Sequence, residues 1–137
     1  MKLNIKNETG RLKSVVLGQP KSIGPVPTLE ESYDAKSYYS IENGIYPKEE
    51  DIIAEMTAFE KVLKKYDVEV FRPNIIKDYN QVFARDVAFV IEDKMIISNV
   101  IKDRADEQEA YRKIFEKVEW RKIINLPGTA HIEGGDV

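Results

Sequence analysis

Twice along this chain an amphipathic helical stretch sits between short apolar runs, and that order constrains the fold more than any single motif does. The first run, Leu12 to Leu17, carries Leu12, Val15, Val16 and Leu17 and is closed by Gly18 and Pro20, the pattern of a buried strand. Lys48 to Tyr66 reads as a helix, with Ile52, Met56, Phe59, Leu63 and Tyr66 at helical spacing. Glu49, Glu50 and Asp51 suit its positive N-terminal end, and Lys61, Lys64 and Lys65 suit the other. Val68 to Phe71 follows as a strand, stopped by Arg72-Pro73-Asn74. Val87 to Ile91 and Met95 to Val100 form a hairpin around Glu92-Asp93-Lys94, although short turns favour a glycine and this one has none.

A second helix is expected from Arg104 to Val118. Tyr111, Ile114, Phe115 and Val118 form its apolar face, with Glu107, Glu109, Arg112 and Lys113 on the rest. Trp120 to Asn125 is the next strand, Leu126-Pro127-Gly128 turns the chain, and Ala130 to Ile132 starts a last strand running into Gly134 and Gly135. Between Gly18 and Pro47 no period is sustained, and four prolines and several tyrosines mark a long loop of the kind that is usually functional. The order points to a strand-strand-helix-strand unit recurring every roughly 50 to 60 residues. About two units and the start of a third are visible. A plain α+β domain with coincidental order is the competing reading.

Composition narrows the function classes. At 137 residues the chain is one domain's worth, and its formal charge of -3 argues against a nucleic-acid surface, which needs clustered Lys and Arg. Zero cysteine removes disulfides and thiolate metal sites and fits a reducing compartment. Met1 to Glu8 lacks the apolar core of a signal peptide, and no stretch approaches the length of a membrane span, so the expected location is cytoplasmic, with no membrane partner.

Two short acidic motifs carry the chemistry: Asn80-Gln81-Val82-Phe83-Ala84-Arg85-Asp86 and His131-Ile132-Glu133-Gly134-Gly135-Asp136. Asp86 precedes an apolar strand, so its carboxylate belongs at a strand mouth, where Phe83 offers a flat face to a planar cation and Asn80 a polar contact. The alternative is a local Arg85 to Asp86 pair that only closes a turn. In the second motif the paired glycines permit close backbone approach beside a carboxylate. His131, Glu133 and Asp136 raise the alternative of a metal site, but no further ligand stands at a defined spacing. His131, the one histidine, has no cysteine or serine elbow to activate. No cofactor is called for.

Together, Asn80, Phe83-Ala84-Arg85-Asp86 and Glu133-Gly134-Gly135-Asp136-Val137 resemble the guanidino-group-modifying superfamily of arginine deiminase, dimethylarginine dimethylaminohydrolase and glycine amidinotransferase. Arg11-Leu12-Lys13-Ser14-Val15-Val16-Leu17-Gly18-Gln19-Pro20 is similar to the opening strand and first loop of those proteins. The resemblance implies an α/β pentein fold, five such units about a pseudo-fivefold axis, of which residues 1–137 would form the N-terminal part. It implies a small guanidino substrate resembling arginine and a cysteine that attacks the guanidinium carbon, with a histidine as proton carrier. Asp86 would bind the substrate guanidinium, Phe83 and Asn80 would contact substrate, Glu133 would be catalytic, and Arg85 and Asp136 would support the site.

The family's histidine segment and late cysteine have no counterpart in this sequence. The expectation is therefore an inactive N-terminal fragment of an amidinotransferase or guanidino hydrolase, self-associating through uncovered strand edges. A non-catalytic pentein-like binding or assembly module is the alternative.

Overall fold

Two parallel crossovers organise the backbone in the computed structural model, which describes residues 1–32, 34–100, 102–132 and 134–137, with backbone only at Asp103 and Asp136. Strand β1 (Ser14–Val16) pairs in parallel with β2 (Glu69–Phe71), Val15 opposite Val70. Helix α2 (Glu49–Lys65) makes the connection. Strands β3 (Ala88–Ile91) and β4 (Lys94–Ile97) form the antiparallel hairpin, and β5 (Ile123–Asn125) adds in parallel to β4, giving the order β3-β4-β5. Glu92 takes a positive φ of 51° in the hairpin turn, so a non-glycine residue carries the left-handed conformation that the tight reversal demands.

Several expected elements take a different form. The segment between Gly18 and Pro47 holds a helical turn, Leu29–Glu31, and an eight-residue helix α1 (Ala35–Glu42). Asp34 starts that helix: its carboxylate accepts the backbone N–H groups of Lys36 and Ser37 at 2.9 and 3.0 Å, satisfying donors that have no partner inside the helix. The second long helix is two pieces, α4 (Asp106–Ala110) and α5 (Arg112–Phe115), divided at Tyr111. There the backbone tightens, with Tyr111 N–H donating to Gln108 and Ile114 N–H donating to Tyr111, each three residues back. Residues 120 to 122 are a helical turn rather than the start of β5. Ala130 to Ile132 do not form a strand; Asn99 instead holds this region by donating its amide to the carbonyls of Pro127 and Ala130 at 2.7 and 2.8 Å.

The core lies under the second crossover. Val87, Ala110, Tyr111 and Ile114 are buried together, with Val16 and Phe71 of the first crossover packed against them. Leu3, Met95 and Val118 form a second cluster beside it, and Phe115 touches both. The expected apolar face of the second helical region is therefore correct in its residues, although the helix is broken. Glu107 is the exception. Expected on the outer side, it is fully buried.

Candidate functional site

The loop carrying the first acidic motif is fixed from beneath by two buried glutamines. Gln81 accepts the backbone N–H of Ile76 at 2.8 Å and donates to the carbonyl of Asn74 at 3.1 Å, while Gln19 donates its amide to Pro73 at 3.2 Å. Gln19 N–H also donates to the carbonyl of Gln81 at 2.9 Å, joining the end of β1 to the loop. This contact needs Gly18, because a Cβ there would overlap the carbonyls of Gln81 and Val82. Asn80 closes the entry to the loop, its side-chain oxygen accepting the N–H of Val82 at 3.2 Å. Phe83 is 60% exposed.

The loop rises into the single helical turn α3 (Ala84–Val87), anchored by the buried Val87 and leading straight into β3. Asp86 thus stands at the mouth of a strand, as expected. The turn Gly134–Asp136 packs directly on α3. Gly134 is buried there, and a Cβ on it would overlap the carbonyl of Arg85. Gly135 is adjacent: a Cβ on it would lie 4.0 Å from Asp86 Oδ1. Arg85 ties the two segments together, donating to the carbonyl of Val137 at 2.6 Å and pairing with Glu8 at 3.2 Å. The local Arg85 to Asp86 pair is therefore not how Arg85 is used.

Asp86 meets a different arginine. Arg104 Nη1 donates to Asp86 Oδ2 at 3.0 Å, and the same guanidinium grips Glu107 with two bonds, Nε to Oε1 at 2.6 Å and Nη2 to Oε2 at 3.1 Å. Burial pulls the Arg104 guanidinium toward losing its proton, but the hydrogen bonds and charge of Glu107, then those of Asp86, outweigh burial and hold it more firmly protonated than usual. Tyr111 walls this cluster. Burial first, then the Glu107 charge, pushes its hydroxyl up, so it stays neutral. That hydroxyl and the Ser98 hydroxyl are buried without a hydrogen-bond partner among the described residues.

Sequence reasoning missed Arg104 and Glu107, although a signal was present. Positions 107, 111, 114 and 118 follow one helical face, which puts Glu107 among the core residues, and an arginine three residues before it is within pairing reach. Glu133 lies outside the described residues, as does the side chain of Asp136, so the structure brings together the backbones of the two motifs and the side chain of Asp86. His131 is exposed. No cluster of potential metal ligands occurs among the described residues, and none of their helices is long and apolar enough to cross a membrane.

No protein-family profile matches the chain, and no curated protein does. Solved structures do. SxtG, an amidinotransferase from Microseira wollei in the saxitoxin biosynthetic pathway, is similar with a TM-score of 0.68 at 20% identity, over 91% of this chain and 43% of that one. Inosamine-phosphate amidinotransferase StrB1 from Streptomyces griseus gives 0.60 at 15% identity over 91% and 43%. A dimethylarginine dimethylaminohydrolase variant, solved as an adduct with S-methyl-L-thiocitrulline, gives 0.62 at 15% identity over 92% and 46%. The chain has a partial pentein fold. It spans less than half the length of each of these proteins. Each crossover has the helix between parallel strands expected from the element order, and α3 lies between the two crossovers along the chain.

Proposed function

We propose that this partial pentein supplies the cation-binding part of a guanidino-group-modifying site, acting on an arginine-like substrate, with the nucleophilic part contributed by sequence outside it. The observation that carries this reading is the packing of the Gly134–Asp136 turn on α3, which brings two distant acidic motifs to one strand mouth. There Asp86 keeps one carboxylate oxygen without a hydrogen-bond partner among the described residues, and exposed Phe83 stands one turn away. A carboxylate beside an aromatic face matches a guanidinium in both charge and planarity. Glu133 is assigned the catalytic role on the motif alone, Asn80 a substrate contact beside Phe83, and Arg85 and Asp136 the support of the site.

The chemistry that would follow is attack of a thiolate on the guanidinium carbon, and a chain with no cysteine cannot perform it alone. That lack favours a second reading, a non-catalytic pentein-like binding module. Calorimetric titration with L-arginine separates both from a chain with no such site. The parent chain is expected to bind saturably without turnover, and Asp86→Asn to weaken binding about 10- to 100-fold, the value of a charge-assisted hydrogen bond. No binding by the parent chain, or equal binding by the variant, rejects the guanidine reading. Turnover by the isolated chain rejects the assignment of its missing nucleophile.

A further inference from the structure

Asp86 is held by a chain of contacts that begins in the core. Glu107 is fully buried on α4, and both of its carboxylate oxygens are taken by Arg104. A guanidinium is a rigid plane, so two bonds on one side fix both the plane and the direction of the remaining N–H groups. The remaining terminal nitrogen, Nη1, is then directed at Asp86 Oδ2, 3.0 Å away. We infer that Arg104 and Glu107 are positioning residues: they set the direction of the Asp86 carboxylate, commit Oδ2, and leave Oδ1 as the oxygen presented beside Gly135.

This inference rests on the guanidine reading above and sharpens it. A fork-on-fork pairing of substrate with Asp86 would bring a second guanidinium onto Oδ2 beside Arg104, two cations on one oxygen, a repulsion relieved only by the departure of Arg104. Departure would leave Glu107 charged and buried without its partner, which is strongly unfavourable. The site therefore meets a planar cation with one Asp86 oxygen, and the cation's other donors must find acceptors on other groups. A ligand with several separate N–H donors is favoured over a compact ammonium, whose charge would be satisfied at a single point.

Crystal structures of the parent chain, Glu107→Gln and Arg104→Lys, together with L-arginine titrations of each, test the inference. The glutamine amide keeps one acceptor and loses the other, and lysine keeps the charge and loses the fork. In both variants the Asp86 carboxylate is expected to turn away from its place beside Gly135, and affinity for L-arginine to fall about tenfold or more, as loss of positioning does. A purely structural pair would instead lower the unfolding temperature while leaving Asp86 in place and the affinity of the folded chain unchanged. Asp86 unmoved in both variants overturns the inference, whether or not L-arginine binds. Asp86 displaced in both, with no L-arginine bound by the parent chain, upholds the positioning role and rejects the guanidine reading alone. If neither single variant folds, Arg104→Met combined with Glu107→Met removes both charges at similar volume, and the displacement of Asp86 is read in the same way.

Discussion

The crossover from β1 to β2 returns through α2, one uninterrupted helix of 17 residues with no buried residue, whereas the crossover from β4 to β5 places in the same role two short segments, α4 and α5, that bury Glu107, Ala110 and Ile114. Each crossover contains an arginine held by a glutamate. Arg72, just past β2, reaches back to Glu60 on α2 with Nε and Nη2 at 2.9 and 2.7 Å, and donates to the carbonyl of Gly18 beyond β1. It clips strand to helix. Arg104 is built from the same chemistry, yet its third contact is Asp86 at the candidate site. The difference lies in burial: Glu60 remains partly in water and also pairs with Lys64 at 2.6 Å, whereas Glu107 has only protein around it. Like element order thus serves two ends, a self-sufficient outer helix in one crossover and a support for the site in the other.

The largest expected effect separates the two glutamates. Glu107→Ala leaves Arg104 half-buried without its main partner and should cost about 3 to 5 kcal/mol by urea denaturation, against roughly 1 kcal/mol or less for Glu60→Ala. Equal costs would break the comparison. Next come the apolar faces: Ile114→Ala, at a 3% exposed position, should cost about 2 to 4 kcal/mol, while Phe59→Ala, at 50% exposure, should stay below about 1. A Phe59 cost matching that of Ile114 would show that α2 is covered in solution.

The smallest effect is on pH. The hydrogen bond from Lys64, then that from Arg72, holds the Glu60 carboxyl below its ordinary value of 4.5. A group depressed by folding contributes its stability above the unfolded value and loses it as pH falls through the folded one. Denaturant midpoints of the parent chain should therefore decline below about pH 4.5 more steeply than those of Glu60→Gln, by under about 1 kcal/mol. Identical profiles would remove Glu60 from the clip.

Much of the fold is legible in the sequence because strands and helices advertise their period. α2 falls at Glu49–Lys65 within the expected Lys48 to Tyr66, since acidic residues crowd one end and lysines the other. The hairpin and the presence of a strand ending at Asn125 follow from runs of Val, Ile and Met, whereas the pairing of β5 with β4 was not legible there. The break at Tyr111 left no mark in the apolar spacing, because the tightened turn keeps Tyr111, Ile114 and Val118 on the same side. Helix α1 was hidden for a different reason. None of its residues is buried, so it has no apolar face to advertise, and its start depends on the single side chain of Asp34.

The sequence by itself determined which residue types are available for chemistry: two acidic motifs, glycines where backbones must touch, and no thiol. It also determined the recurring strand and helix order, because periodicity depends only on neighbours along the chain. The tertiary structure alone decided which charges meet. Asp86 faces Arg104 rather than Arg85, and Arg85 reaches across to Val137. Such pairings depend on where the hairpin returns the chain and how closely the Gly134–Asp136 turn can approach α3, distances that no local pattern encodes. Burial of Glu107 then gives its pairing with Arg104 the strength to hold Asp86 in place, since a charge removed from water must keep its partner.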